Sequence, residues 1–154
     1  MATSIPAFHV STISKASGDG KVFIASRQDA LSSGVFYIKI EVSFDPSVDD
    51  YPQGGLRIET DLSDSAKGKF ESTSVELINS YGKHNPTVYL TGRCKTPDDI
   101  GYKGLRYWVM VADNTSVGST DTWDVVGFVI HDRNGDRVAY GTGPLDGNIT
   151  VMPN

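Results

Sequence analysis

The stretch Val125–Tyr140, VVGFVIHDRNGDRVAY, constrains this chain more than any other. Two alternating apolar runs flank Asn134-Gly135, and such a dipeptide between such runs is the strongest short-range signal of a β-hairpin. A hairpin turn fixes register, and register decides which side chains face the core. The pattern therefore predicts an antiparallel β protein with a two-residue type I′ turn at Asn134-Gly135.

The acid balance agrees. The chain carries 15 Asp against 4 Glu, together with 16 Gly. Asp favours turns, where its short side chain accepts hydrogen bonds from nearby backbone amides, whereas Glu favours helix interiors. No stretch shows helical spacing with caps. Instead, short apolar runs alternate with Gly, Asp, Asn, Ser and Pro. Phe8–Ser14 reads as a strand, Ser17–Gly20 as a turn and Lys21–Ser26 as a second strand. Gly34–Phe44 alternates most clearly, with Phe36, Ile38, Ile40, Val42 and Phe44 on one side. Leu56–Asp61, Phe70–Asn79 and Thr87–Cys94 follow. Gly104–Ala112 differs in kind, because Trp108, Met110 and Ala112 are apolar opposite Leu105, Tyr107, Val109 and Val111. A strand apolar on both faces is expected to be central or covered on both sides. After the hairpin, Gly141-Thr142-Gly143 reads as a break before a last strand near Asn148–Met152.

These runs predict nine to eleven strands in one domain spanning residues 1–154, with residues 1–7 as a loose arm. A two-sheet antiparallel β-sandwich is the leading architecture, and a closed antiparallel β-barrel is the alternative.

Charge and motifs exclude several function classes. The net charge is −5, and no Lys/Arg cluster is present to neutralise a phosphate backbone, so nucleic acid is not an expected partner. No apolar run approaches the ~20 residues of a membrane-spanning helix. Met1–Val10 lacks the pattern of a signal peptide. The localisation expected is cytoplasmic, or secreted as a processed mature domain. Cys94 is the single cysteine, so no intrachain disulfide is possible, and it reads as an interior thiol. The chain has no G-x-G-x-x-G, P-loop or G-x-S-x-G, and no zinc-ligand spacing among His9, His84 and His131. No cofactor is expected on these grounds.

Calcium is the one metal the loops suggest. Asp132, Asn134 and Asp136 imitate the start of a calcium loop, but Gly135 and Gly143 fall at the wrong positions and Arg133 and Arg137 oppose a dication. A site assembled from several loops, with Asp113, Asn114, Asp121 and Asp124 as ligands, is the remaining possibility. Against it stands the ordinary preference of Asp for loops.

Aromatic residues crowd into the last third of the chain. Tyr102, Trp123, Trp108, Tyr107 and His131 are the candidate ligand-binding residues, since aromatic faces line small-molecule pockets and binding surfaces. Tyr107 and Trp108 equally fit a core.

From Gly104 on, over residues 104–152, the chain resembles a recurrent C-terminal β-domain of bacterial secreted and cell-surface proteins. The likeness lies in GLRYWVMVADN, DVVGFVIHDRNGDRVAYGTG and GNITV. A Gly–Tyr strand ends in Asp-Asn, as Gly104, Tyr107, Asp113 and Asn114 do. A hairpin follows, and the segment closes on Gly147-Asn148-Ile149. The resemblance implies a structural or adhesive role and assigns no catalytic residue.

The leading expectation is a non-enzymatic module that binds or scaffolds, with a carbohydrate or a protein surface as ligand. A second expectation is a small β-barrel cyclase or isomerase working on an apolar substrate in an interior cavity. A third is a subunit of a phage or appendage assembly. An interior void above about 300 Å³ would favour the enzyme, and a filled interior would favour the binder.

Overall fold

The computed structural model describes residues 13–24, 34–60, 68–82, 86–96, 104–114 and 123–152. The described residues hold nine strands and no helix. They are β1 (Ser14–Ile24), β2 (Gly34–Phe44), β3 (Gln53–Thr60), β4 (Lys69–Ser72), β5 (Leu77–Tyr81), β6 (Thr87–Lys95), β7 (Arg106–Ala112), β8 (Val125–His131) and β9 (Arg137–Met152).

Every pairing is antiparallel, in the order β4-β3-β2-β1-β9-β8-β7-β6-β5, and β4 also pairs with β6. That last contact, through Glu71↔Lys95 and Ser72↔Cys94, closes eight strands into a barrel. β5 continues along β6 beyond the closure. Of the two expected architectures, the protein adopts the closed barrel.

Closure depends on two places where one length of chain serves two neighbours. In β9, Arg137–Pro144 pairs with β8 and Leu145–Met152 pairs with β1. Along the second half of β9 the edge away from β1 is satisfied by other groups. Leu145 N–H donates to the Asp124 carbonyl (2.7 Å). Ile149 N–H donates to the Asp124 carboxylate (3.1 Å) and Val151 N–H to the Asp113 carboxylate (3.0 Å). Ser80 Oγ donates to the Met152 carbonyl (2.7 Å). Buried backbone groups require such partners, and here the ends of β8, β7 and β5 supply them.

At the other junction, residues 73–76 carry the chain from β4 to β5 along the same side of β6. Gly92 makes room: a Cβ there would lie 2.0 Å from the Ser74 carbonyl oxygen. That oxygen accepts the Tyr107 hydroxyl (2.8 Å). The expected single strand Phe70–Asn79 is therefore two strands with a bend between them.

Two expected breaks are absent. Ser17–Gly20 lies inside β1 rather than at a turn. Its glycines serve close approach: a Cβ on Gly18 would sit 2.0 Å from the Asn148 carbonyl oxygen, and one on Gly147 would sit 2.4 Å from that of Asp19. Gly141-Thr142-Gly143 likewise falls within an unbroken β9.

The hairpin at Val125–Tyr140 forms, but its loop runs over residues 132–136 and is not the expected two-residue turn. Asp132 organises it, its Oδ1 accepting the amides of Asn134 (2.9 Å) and Asp136 (3.1 Å). Gly135 takes a φ of 85°, and a bulge shifts register between Ile130 and His131.

The interior of the barrel holds one apolar core. Phe36, Ile38, Ile40, Ile58, Phe70, Leu90, Tyr107, Phe128, Ile130, Leu145 and Ile149 are all buried in one core. Phe36 meets Phe128 edge to face, with ring centroids 4.5 Å apart. Cys94 belongs to this core, and burial pushes its thiol up to about 12. It is the interior thiol the sequence suggested. The expected strand Phe8–Ser14 and the arm at residues 1–7 lie outside the described residues.

Candidate functional site

Period two puts alternate residues of β5–β9 on the outside of the barrel. Register then aligns them in rows. One row is Leu77, Thr91, Trp108, Val129 and Tyr140. The next is Asn79, Tyr89, Met110, Gly127 and Thr142. Between them runs a groove of about 520 Å³. Leu77, Tyr89, Trp108, Met110, Val129 and Thr142 line it from the outside. Gly127 gives it depth, since the central strand β8 offers no side chain there. A Cβ at Gly127 would come 3.0 Å from Thr142 Oγ1.

Large apolar side chains around the groove reach solvent, among them Leu77, Tyr81, Tyr89 and Trp108. Tyr81 and Tyr89 stack with centroids 6.0 Å apart and planes 19° from parallel. The neighbouring Tyr89 hydroxyl raises the Tyr81 phenol above its usual range.

A basic row borders the groove on the Trp108 side. Arg93, Arg106, His131 and Arg137 follow one another across β6, β7, β8 and β9. Arg106 makes a two-pronged contact with Glu76 (2.9 and 3.3 Å). Arg137 lies over the Tyr140 ring at 4.4 Å from its centroid. His131 holds Trp108: the indole Nε1–H donates to His131 Nε2 at 3.1 Å. His131 Nδ1 lies 3.0 Å from the Asp132 carbonyl.

The candidates read from sequence separate accordingly. Trp108 and His131 come together on the outer face, with Trp108 50% exposed. Tyr107, one residue away, points inward at 0% exposure, so it belongs to the core rather than to a surface site. Burial, then the nearby Cys94 and Glu76, pushes its hydroxyl above the ordinary phenol range. Trp123 is 51% exposed just before β8 but does not line the groove. Tyr102 lies outside the described residues.

Of the four proposed calcium ligands, Asp121 is also outside them. Asp113 and Asp124 are buried, with carboxylates that accept backbone amides of β9. Asp124 Oδ1 further accepts the Asn114 amide (2.9 Å), and Asn114 Nδ2 donates to the Trp123 carbonyl (2.9 Å). These contacts give the residues a structural role at the β9 junction. Among the described residues no group of three or more His, Cys, Asp or Glu gathers to hold a metal ion. Cys94 faces the interior and His131 the outside, so they make no catalytic pair.

Sequence reading missed Leu77, Tyr89, Met110, Gly127, Val129 and Thr142. A parity signal exists for Tyr89, which stands between the apolar Val88 and Leu90 in the run Thr87–Cys94. Of the two alternatives expected for β7, the central place holds: it lies between β6 and β8, and its outer face forms the groove wall.

Comparison with protein families, with curated proteins and with solved structures found no match.

Proposed function

We propose that this barrel is a non-catalytic binding module, and that the outer face of β5–β9 receives an apolar patch of a protein partner. The observation that carries this reading is the apolar groove, with Leu77, Tyr81, Tyr89 and Trp108 exposed around it. Contiguous exposed apolar surface of this kind marks interaction sites. Trp, Tyr, Met and Arg are also the residues enriched at protein interfaces. The cyclase or isomerase reading calls for an interior chamber, whereas this groove lies on the outer face of the barrel. The paucity of polar groups in the groove favours a protein surface over a carbohydrate, which needs donors and acceptors as well as a flat ring. The resemblance of residues 104–152 to adhesive domains points the same way, and an assembly subunit would use such a face equally.

A photoreactive amino acid placed at position 89 tests the reading, with position 39 on the opposite side of the barrel as control. In native extract, a discrete protein adduct is expected from position 89 alone, and Trp108→Ala should abolish it. Adducts from both positions, or from neither, would overturn the reading. A glycan array in parallel separates the ligand classes, because Trp108-dependent glycan capture would hand the face to a carbohydrate.

A further inference from the structure

We infer that His131 is a positioning residue that locks the Trp108 wall of the groove only while its imidazole is neutral, so that acidification unlocks the binding face. This inference deepens the proposed function and rests on it for its biological meaning.

The argument is one of donors and acceptors. An indole N–H can only donate, so His131 Nε2, 3.1 Å away, must present a lone pair. A carbonyl oxygen can only accept, so His131 Nδ1, 3.0 Å from the Asp132 carbonyl, must carry the proton. Both ring nitrogens are thereby committed, and the pair of contacts is satisfied by one species alone, the neutral Nδ1–H tautomer. Adding a proton turns Nε2 into a donor facing a donor. The Trp108 contact then breaks, while the Asp132 contact strengthens and holds the ring.

The surroundings make this transition consequential. His131 lies opposite Arg106 on β7 and opposite Arg137 on β9, so a protonated imidazole joins two guanidinium groups in one row. Glu76 is engaged by Arg106, and Arg133, Asp132 and Asp136 occupy the adjacent loop. The lost acceptor releases the indole from the groove wall. Histidine is the side chain whose charge ordinarily changes between about pH 5 and 8.

The test uses the full chain with Trp123→Phe, which leaves Trp108 as the single tryptophan. Its indole N–H resonance and emission are followed from pH 8 to pH 5 by nuclear magnetic resonance and fluorescence. The expected result is a transition in both signals with His131 present. His131→Gln, whose amide oxygen accepts the indole N–H at every pH, should show none. His131→Phe should show the acid-state signals already at pH 8. An indole signal that does not change with pH in the His131 protein, or a transition that persists in His131→Gln, overturns the inference. Crosslinking from position 89 gives the second arm. Adduct yield is expected to fall about two- to tenfold at pH 5 with His131 and to hold with His131→Gln, the range one hydrogen bond commands. Equal yields at both pH values in both proteins sink the regulation while the binding face survives. No adduct at any pH, with the spectroscopic transition intact, sinks the binding face while the lock survives.

Discussion

The barrel has two outer faces built by the same alternation, and they carry opposite chemistry. On β1–β4 the outward positions are mostly a charged ladder, and the one exposed aromatic in it, Tyr37, lies between Lys21 and Glu59 with the Lys21 ammonium over its ring. Lys39 sits between Asp19 and Arg57, Arg57 lies opposite Glu71, and Glu59 lies opposite Lys69. On β5–β9 the corresponding positions hold Leu77, Tyr89, Trp108, Met110 and Val129. Backbone geometry is indifferent to this choice, since period two fixes only which residues point outward. A wet face can be filled with charge at little cost to stability. Large apolar groups left in water therefore carry information that charged ones do not.

Substitutions on either side of one strand should divide the inside from the outside most sharply. Tyr107→Ala removes a buried ring and its hydrogen bond to Ser74, with an expected loss of about 3–5 kcal/mol in chemical denaturation. Trp108→Ala, one residue along, should cost less than about 1 kcal/mol. Equal losses would mean that the outer face is structural after all.

Next in size is the junction at which the two faces meet. Asp124→Ala strands the buried amide of Ile149 and the part-buried amide of Asn114, and a loss of about 2–4 kcal/mol is expected. A loss below about 1 kcal/mol would show that the second half of β9 is not pinned there.

A dye that reports exposed apolar surface, anilinonaphthalene sulfonate, compares the faces directly. The native protein should enhance its emission. Val129→Lys should suppress that signal, whereas Lys39→Ala should leave it unchanged and alter stability by no more than about 0.5 kcal/mol. Suppression by both substitutions would erase the distinction between the faces.

The smallest effect concerns the seal between the two faces. Unfolded, the Cys94 thiol ionises near its ordinary 9; folded, it does so only near about 12. Its contribution to stability is thus complete below about pH 9 and lost as pH rises toward 12. A native thiol that reacts with a disulfide reagent at the unfolded rate at pH 8 would show that the interior is open.

Much of this was legible in the chain. The alternation of Phe36, Ile38, Ile40 and Val42 gave the inward face of β2 directly, because each side chain does only one job there. Gly18 and Gly20 misled. Glycine marks both turns and close backbone approach, and only the β1–β9 pairing tells the two apart. Asp113 and Asp124 are ambiguous in sequence for a related reason, since a carboxylate in a loop caps distant amides as readily as it binds cations. Of the site, Trp108 and His131 could be named from sequence but not joined, because their contact depends on the register between β7 and β8. The groove was hidden at Gly127, where the informative property is a missing side chain.

The pairing of β1 with β9 bears on how the barrel comes to exist. Lys15 is matched with Met152, so this seam joins residues separated by almost the whole described chain. Contacts of such high sequence separation are bought with loop-closure entropy and form late. Hairpins such as β8–β9 are local and can form early, and the groove face is assembled largely from neighbours in sequence. During synthesis that face is therefore complete only once β9 emerges, while β1, earlier in the chain, still waits with an unpaired edge. The interval between those two events is when this protein is most open to pairing with the wrong strand.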